Sequence, residues 1–505
     1  MQALYALLPI VFLLFLLVGM RWSAASAGMA STAIAATVAI FGFDLGSSPP
    51  GLVKSLVGTF VEASFLALTI LWIVFPALCI LEYQTRNGSV ALLGNWTGRL
   101  GKDRRVAALL IAWFFALFLE GAAGFGTSVA LAAPLLVAAG FSPLRALTLA
   151  LIGHAVGVSF GAIGTPMLPL LAPGLLDPNA LSFMVALLHA TLGWTMTAMV
   201  YWLAGSGLAD RGSAVAASGW VALAAISFFV PATFLAWLIG PELPTLGGAL
   251  FGGLVFVGYV RWRQRQSDQE RAPVPAHRLY LAMLPYLIVL GLVLLTRLEP
   301  HLGAFLQDAA FEWSLFDNFG GKIAPLYHPG TILLFGFVLT GIVGPKRTTA
   351  LPAAAMAAAR RIPRVAFALV SVLLLARLMV HAGMIEKLAL ASASLLGPSW
   401  PLAAPAVGAL GSFVTGSATA SNILFGEFQY STAAAVGLSP LLMTAAQAFG
   451  AAIGNIVAPH NIISGAATVG LVGREGEVLK RTLPACLLYT FAGGVLVFVL
   501  SNSWF

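Results

Sequence analysis

Apolar runs of roughly 17 to 25 residues recur along the whole chain, and this repetition limits the fold more than any other feature. Runs of that length cross the hydrocarbon core of a bilayer as helices. Only 9% of the 505 residues are charged and 60% are hydrophobic, whereas soluble domains carry about 25% charged residues. So few charges cannot cover a soluble fold of this size. The sequence therefore predicts an all-α polytopic membrane protein.

The positive charges are concentrated in three loops, at 99–105, 261–278 and 345–364. Short loops rich in Lys and Arg stay on the cytoplasmic side of a membrane, so all three are predicted to be cytoplasmic. The net charge of +8 therefore reflects membrane topology, and no nucleic-acid partner is expected. The longest polar loop between spans, 298–328, is acidic on balance. It is predicted to lie outside and to fold as an amphipathic surface segment.

The first apolar run and the cysteines exclude two other interpretations. No positive charge precedes the first run and Arg21 follows it, which favours a retained helix with its N-terminus outside over a signal peptide. Cys79 and Cys486 both lie in apolar runs, so neither a disulfide nor a metal site is predicted. No cofactor is expected.

Alternation between the loops predicts about twelve crossings, with both termini on the outer side. Two further stretches, 106–139 and 401–436, each hold two apolar pieces around a Gly/Ser/Thr-rich break. Pieces of about fifteen residues are short for a crossing, so we predict two re-entrant hairpins. The predicted spans are 2–20, 24–43, 56–82, 144–173, 181–205, 219–240, 247–263, 279–297, 329–344, 365–385, 441–472 and 482–500.

An internal repeat relates the two hairpin regions. The turn GFSPL at 140–144 aligns with GLSPL at 437–441, and at the same offset of 297 residues Gly153 and Gly157 fall on Gly450 and Gly454. An odd number of predicted crossings separates the copies, so the second is predicted to be inverted. Inverted repeats with interrupted helices are typical of secondary transporters, which bind substrate at the breaks. The chain is accordingly divided into scaffold helices (1–105), a first transport region (106–173), further scaffold (174–400), a second transport region (401–472) and a C-terminal helix (473–505).

The breaks offer neutral hydrogen-bond donors that suit an organic anion. The segment TGSATASN at 415–422 is the richest of them. Ser and Thr in membrane helices often bond to their own backbone instead, and the paired glycines are predicted to be close helix contacts. The predicted substrate-binding residues of the breaks are Gly124, Gly126, Thr127, Ser128, Thr165, Thr415, Ser417, Thr419, Ser421, Asn422, Asn455, His460 and Asn461.

Ionisable residues inside predicted spans are costly and therefore point to function. The candidates are Glu62, Glu120, His154, Arg377, His381 and His460. Glu120 is the first candidate for a proton carrier, and His154 and His381 are further candidates. The alternative role of Glu120 is a structural hydrogen bond to the backbone of the break. Arg377 could bind the substrate carboxylate, pair with Glu120, or reach the cytoplasmic surface. The histidines could equally be neutral packed side chains.

Several long motifs resemble the bacterial L-lactate/glycolate permease family. They are LEGAAGFG, the G-x-SPL turn, FGAIGTP, IGPELP at 239–244, TGSxTxSN, and AATVGLVGREGEVLKRT at 466–482, in order over roughly the whole chain. The resemblance implies a proton-coupled uptake carrier for small 2-hydroxymonocarboxylates in the bacterial cytoplasmic (inner) membrane. It also implies the fold of the wider ion-transporter superfamily, whose members often form homodimers and move a transport domain as an elevator.

Three positions depart from the family pattern. Ala418 stands where the family commonly has Asp, Asn455 stands in the break that commonly carries a Lys, and His154 stands where Asn is common. These departures leave open a sodium-coupled carrier, or a carrier of another organic anion. A more remote alternative is an intramembrane enzyme that uses Glu120, His154 and His460 as acid and base groups. Against it, the sequence has no metal motif and no nucleophile elbow.

Overall fold

The fold is described from a computed structural model. It covers residues 2–20, 22–47, 50–100, 103–124, 126–172, 174–206, 214–265, 275–343, 350–471 and 474–503. Half of the predicted cytoplasmic loop 261–278, at 266–274, and the first residues of the loop 345–364 lie outside the described residues. The helices are Gln2–Leu14, Phe15–Gly19, Ala24–Gly42, Leu52–Arg86, Ser89–Leu100, Arg104–Ala108, Leu109–Phe115, Ala116–Ala123, Thr127–Ala138, Pro143–His154, Ala155–Phe160, Gly161–Gly164, Thr165–Met167, Leu168–Leu171, Pro178–Leu192, Trp194–Gly205, Ala214–Leu238, Pro244–Arg265, Ala276–Leu298, Pro300–Asp308, Pro329–Val343, Ala350–His381, Met384–Leu396, Gly397–Ser399, Trp400–Thr415, Ala418–Val436, Pro440–Gly454, Asn455–Val457, Pro459–Val469 and Glu475–Ser503.

The predicted class, an all-α polytopic membrane protein, is confirmed. Over the described ranges, ten helices are long and apolar enough to cross a membrane, or eleven if the pair Pro178–Leu192 and Trp194–Gly205, bent by 41°, forms one span. The predicted spans at the N-terminus and at Pro329–Val343 are shorter than this, whereas Arg104–Ala123, predicted as half of a hairpin, is long enough. The count of about twelve crossings stays a prediction.

The two G-x-SP turns have one physical explanation. Gly140 and Gly437 have φ of +91° and +75°, the left-handed conformation that ends a helix and that glycine adopts without strain. The next helix begins with proline at its first turn in both copies, where its missing N–H costs nothing. Ser439 Oγ also accepts a hydrogen bond of 3.3 Å from the Leu442 N–H. The motif thus stops one helix and starts the next within five residues.

Each predicted hairpin consists of two helices that pack side by side. In hairpin 1, Arg104–Ala123 and Thr127–Ala138 are joined at Gly124–Gly126, and in hairpin 2, Trp400–Thr415 and Ala418–Val436 are joined at Gly416 and Ser417. Left-handed glycines form both tips, with Gly126 at φ +72° and Gly416 at φ +74°. Whether the tips end inside the bilayer stays a prediction.

The long helix after each hairpin is interrupted. The first, Pro143–Leu171, contains break 1 at residues 155–167, where Ala162 and Ile163 have φ of +44° and +54°. Positive φ is strained for any residue with a Cβ and especially for a β-branched one. The second, Pro440–Val469, contains break 2 at residues 455–458, which ends on the extended residue Ala458. Strain of this kind persists where surrounding packing enforces it, commonly at functional sites.

The loop 298–328 differs from its prediction, because part of it is a β-hairpin. Strands Phe311–Leu315 and Phe319–Ile323 pair antiparallel, with Phe311 opposite Ile323. Phe319 is 3% exposed and its ring centroid lies 4.5 Å from that of His381. The amphipathic segment that the sequence predicted is represented by the preceding helix, Pro300–Asp308.

Candidate functional site

The tips of the hairpins and the two breaks meet at one buried joint. An ideal Cβ on Gly124 would lie 3.0 Å from the Cβ of Ala162, which places the tip of hairpin 1 on break 1. A Cβ on Gly126 would lie 2.8 Å from Asn461 Oδ1, just after break 2. Glycine is therefore required at both positions, because a side chain would separate the tip from the interrupted helices.

Glu120 lies at the centre of this joint and is 4% exposed. Its Oε2 accepts a hydrogen bond of 2.6 Å from Ser128 Oγ, across the two helices of hairpin 1. Its Oε1 would lie 2.7 Å from a Cβ on Gly161, so the carboxyl group also touches break 1. No ion pair to Glu120 occurs among the described residues.

A second chain of contacts joins the two interrupted helices. His154, which is fully buried, lies 3.0 Å from the Ala150 carbonyl through Nδ1 and 3.4 Å from Asn455 Oδ1 through Nε2. Asn461 Nδ2 donates to the same Asn455 Oδ1 at 2.6 Å. Three predicted site residues from both repeats are thus brought together.

Most hydroxyls of the hairpin tips and of break 1 bond to nearby backbone, which is the structural role that Ser and Thr often have in membrane helices. Thr415 Oγ1 donates to the Gly411 carbonyl at 2.8 Å, and Ser417 Oγ accepts from the Ala420 N–H as a helix cap. In the first repeat, the hydroxyls of Thr127 and Thr165 donate to the carbonyls of residues three positions earlier, at 2.7 and 2.6 Å. These groups stabilise the irregular backbone that a break exposes.

The remaining polar residues of hairpin 2 connect it to its surroundings. Asn422 Nδ2 donates 2.8 Å to the Pro166 carbonyl in break 1, and Ser421 Oγ donates 2.8 Å to the Gly408 carbonyl. Thr419 is 4% exposed. His460 is exposed but lies next to the tip of hairpin 2, because an ideal Cβ on Gly416 would lie 2.9 Å from the Cβ of His460. The predicted residues of this segment therefore lie at the joint.

Arg377 and His381 belong to a separate cluster of charged residues, the Arg377 cluster. Arg377 Nη1 donates to Glu427 Oε1, and its Nη2 donates to Glu62 Oε1 at 3.0 Å. The other oxygen of Glu62, Oε2, lies 2.5 Å from His381 Nε2. The hypothesis that Arg377 pairs with Glu120 is wrong, because its guanidinium is held by these two carboxylates between three helices.

The sequence reasoning missed Glu427 and gave Glu62 no role. Glu427 is the one acidic residue within 401–436, so the criterion that selected Glu120 would also have selected it. A small cavity of about 60 Å³ lies beside the cluster and is lined by Thr69, Pro169, Arg377, Asn422 and Glu427 among others. Asn422 therefore connects the Arg377 cluster to the joint.

A larger cavity lies elsewhere. It has a volume of about 860 Å³ and is lined by Trp194, Trp202, Phe229 and Trp237 among other apolar side chains. Trp194, Trp202 and Trp237 are more than half exposed, as expected of a groove that faces lipid. Because its lining has no charged side chain, it does not suit a small anion.

The fold and the joint define the class of this protein, which is a multi-pass membrane transporter. A family model described as L-lactate permease matches residues 2–324 and 315–502. The chain therefore belongs to the L-lactate permease family, whose members are permeases and not enzymes. The family that the motifs suggested is confirmed.

Individual relatives match over nearly their full length. The L-lactate permease of Streptococcus iniae is 28% identical over 452 residues, which cover 88% of this chain and 93% of that protein. The glycolate permease GlcA of Escherichia coli is 28% identical over 547 residues, covering 98% and 95%. The solved structure of MtrF from Neisseria gonorrhoeae, described with a class of antimetabolite efflux pumps, has a TM-score of 0.50 and 14% identity over 97% of both chains. This last likeness concerns the fold alone.

Proposed function

We propose that this chain is a secondary active carrier of the bacterial inner membrane. It takes up small 2-hydroxymonocarboxylates, lactate and glycolate among them, together with protons. The names of the relatives support the substrate class. The observation that carries the carrier mechanism is the strained backbone of break 1, buried under the tip of hairpin 1. Interrupted helices of this kind bind substrates and ions in secondary transporters, and irregular backbone is tolerated in a membrane only against protein or a cavity.

The coupled proton needs a titratable group inside the protein. Glu120 is the candidate within the joint, with His154 beside it and His381 in the Arg377 cluster. The hydrogen bond from Ser128 and the contact with Gly161 support Glu120, because a change in its protonation would reach both hairpin 1 and break 1. The hydroxyls and amides of the breaks, with Arg377, are the proposed substrate contacts.

Transport requires the site to open to each side in turn. In this proposal, the hairpins and interrupted helices form inverted repeats that move together as an elevator against the scaffold, which a homodimer would hold in place. The bond from Asn422 to the Pro166 carbonyl supports joint movement, because it ties hairpin 2 to break 1.

Uptake into proteoliposomes tests the proposal. With an acidic exterior and no sodium, radiolabelled L-lactate or glycolate should accumulate above equilibrium, and a protonophore should abolish the accumulation. The second candidate, a sodium-coupled or other organic-anion carrier, is favoured by Ala418 and Asn455 at positions where the sequence departs from its family. Accumulation that needs a sodium gradient, or that occurs only with a different anion, would establish that candidate instead.

A further inference from the structure

Arg377 has more donor capacity than its protein partners use. A guanidinium carries five N–H donors, and Glu427 and Glu62 occupy one N–H of each terminal nitrogen. The buried Nε–H of Arg377 has no hydrogen-bond partner in the part of the chain that the structure describes. Buried donors are almost always paired, so this guanidinium is suited to a further acceptor.

The cavity of about 60 Å³ lies directly beside this guanidinium. On this scale a water molecule needs roughly 10–15 Å³, so the space admits a group of several atoms, such as a carboxylate. Its walls come from the helices Leu52–Arg86 and Ala350–His381 of the predicted scaffold, and from Leu168–Leu171 and Ala418–Val436 of the two transport regions. A ligand there would touch every part that has to rearrange during transport.

We propose that the carboxylate of the transported anion binds Arg377 in this cavity by displacing Glu427, which takes up a proton as it is displaced. A hydronium ion of the external solution is the donor: one of its O–H bonds breaks, which leaves water, and a new O–H bond forms on Glu427 Oε1. The hydrogen bond from Arg377 Nη1 to that oxygen breaks, and the same N–H donates to an oxygen of the anion. This inference rests on the proposed function and moves the coupled proton from Glu120 to Glu427.

Charge balance is the physical reason for coupling the two events. With His381 neutral, Glu62, Arg377 and Glu427 together carry one negative charge. An anion that entered without a proton would raise this to two in a largely buried place, where unpaired charge is costly. When Glu427 is protonated the total stays at one, so one proton enters with each anion. A protonated His381 changes both totals equally and leaves the coupling intact.

The surroundings of Glu427 contain few other titratable groups. Arg377 and His381 face it from Ala350–His381, and Glu62 from Leu52–Arg86. The neighbouring helices Trp400–Thr415, Pro440–Gly454 and Leu168–Leu171 have no ionisable residue. The helix Met384–Leu396 carries Glu386 and Lys387, whereas the helix of Glu427 itself adds Tyr430. None of these last three makes an ion pair with the cluster among the described residues.

The experiment measures proton uptake upon anion binding by the full-length protein in weakly buffered detergent solution. Sodium L-lactate and sodium glycolate are the probes, and neutral lactamide is the control ligand. The wild type should take up about one proton per anion bound, and its affinity should fall about tenfold per pH unit once Glu427 is ionised. Glu427→Gln keeps the shape and a hydrogen-bond acceptor but cannot titrate, so it should bind with no proton uptake and no pH dependence.

Two further variants make the outcome decisive. Glu120→Gln, which alters the buried carboxyl group of the joint, should take up protons as the wild type does because this inference assigns the proton to Glu427, and Glu427→Asp should retain uptake because it still titrates. Continued proton uptake by Glu427→Gln, or its loss in Glu120→Gln alone, would overturn the inference and leave the proposed function standing. If Glu427→Gln does not fold, the other two variants decide. Loss of proton uptake in either Glu120→Gln or Glu427→Asp overturns the inference, and proton uptake by both variants supports it. Absence of binding of both anions to the wild type would overturn the proposed substrate class and the inference with it.

Discussion

Ser128 Oγ donates a hydrogen bond of 2.6 Å to Glu120 Oε2 and so fastens the two helices of hairpin 1 together beside its tip. The same carboxyl group touches Gly161 at the start of the strained part of break 1. The Glu120 side chain therefore holds the two helices of hairpin 1 together at the tip and positions the tip on the interrupted helix. This relationship explains the place of a carboxyl group in an apolar segment without requiring that it carry the transported proton.

Replacing either partner of this bond separates a structural from a coupling role. Ser128→Ala leaves a buried carboxyl group without this donor, and we expect a loss of about 1–3 kcal/mol in stability together with slower uptake. Glu120→Gln can still accept the bond, and because the inference above assigns the coupled proton to Glu427, pH-gradient-driven lactate uptake in proteoliposomes should persist. Loss of driven uptake with lactate exchange preserved in Glu120→Gln would instead identify Glu120 as the proton carrier.

Local structure was largely predictable because local chemistry determines it. The G-x-SP turns, both hairpin tips and both breaks lie where Gly, Ser and Pro were expected to interrupt apolar helices. Their conformations depend on positive φ and on capping, which follow from residue type. Most hydroxyls of the hairpin tips and breaks donate to nearby backbone carbonyls. The number of Ser and Thr residues in the sequence could not distinguish this role from ligand binding.

The Arg377 cluster could not be predicted in the same way. Glu427 and Glu62 are 50 and 315 residues from Arg377, so their meeting depends on how three helices pack. The alternatives considered for Arg377 did not include either residue. The β-hairpin Phe311–Ile323 was missed for another reason. Its strands are only five residues each, and although Phe311–Leu315 alternates between apolar and polar side chains, Phe319–Ile323 does not.

Close packing of glycine against backbone should make the interrupted helices intolerant of even one methyl group. A Cβ on Gly450 would overlap the Pro405 carbonyl oxygen, and a Cβ on Gly454 would overlap that of Ala409. We expect Gly450→Ala and Gly454→Ala each to cost about 1–3 kcal/mol or more, observed as lower unfolding temperatures in detergent. Gly291→Ala is the matched control, since nothing lies within 4 Å of its Cβ, and alanine there should be neutral or stabilising by up to about 1 kcal/mol. Equal melting temperatures for all three variants would contradict this packing.

A buried ion pair anchors the IGPELP segment. Glu242 Oε1 accepts 2.8 Å from Arg297 Nη2, and the two side chains are 9% and 5% exposed. Removing one partner leaves an uncompensated buried charge, so Glu242→Gln should cost about 3–5 kcal/mol in thermal unfolding experiments. The pair of Glu312 and Lys322, 72% and 68% exposed, is the control, and Glu312→Gln should cost less than about 1 kcal/mol. A similar cost for both variants would show that the buried pair does not anchor the segment.

His328, between the β-hairpin Phe311–Ile323 and the helix Pro329–Val343, should make stability fall in mild acid. Burial, and then the positive charge of Arg297, lower the pKa of His328 from 6.5 to about 4. Between these values the unfolded chain binds a proton that the folded chain does not, so stability rises with pH in this window and is lost as pH falls from 6.5 towards 4. His328→Asn retains an acceptor for the Gly330 N–H but does not titrate, so its melting temperature should decline less steeply with acid than that of the wild type. His301→Asn changes an exposed histidine and should follow the wild type. Identical declines for all three proteins would refute the role of His328.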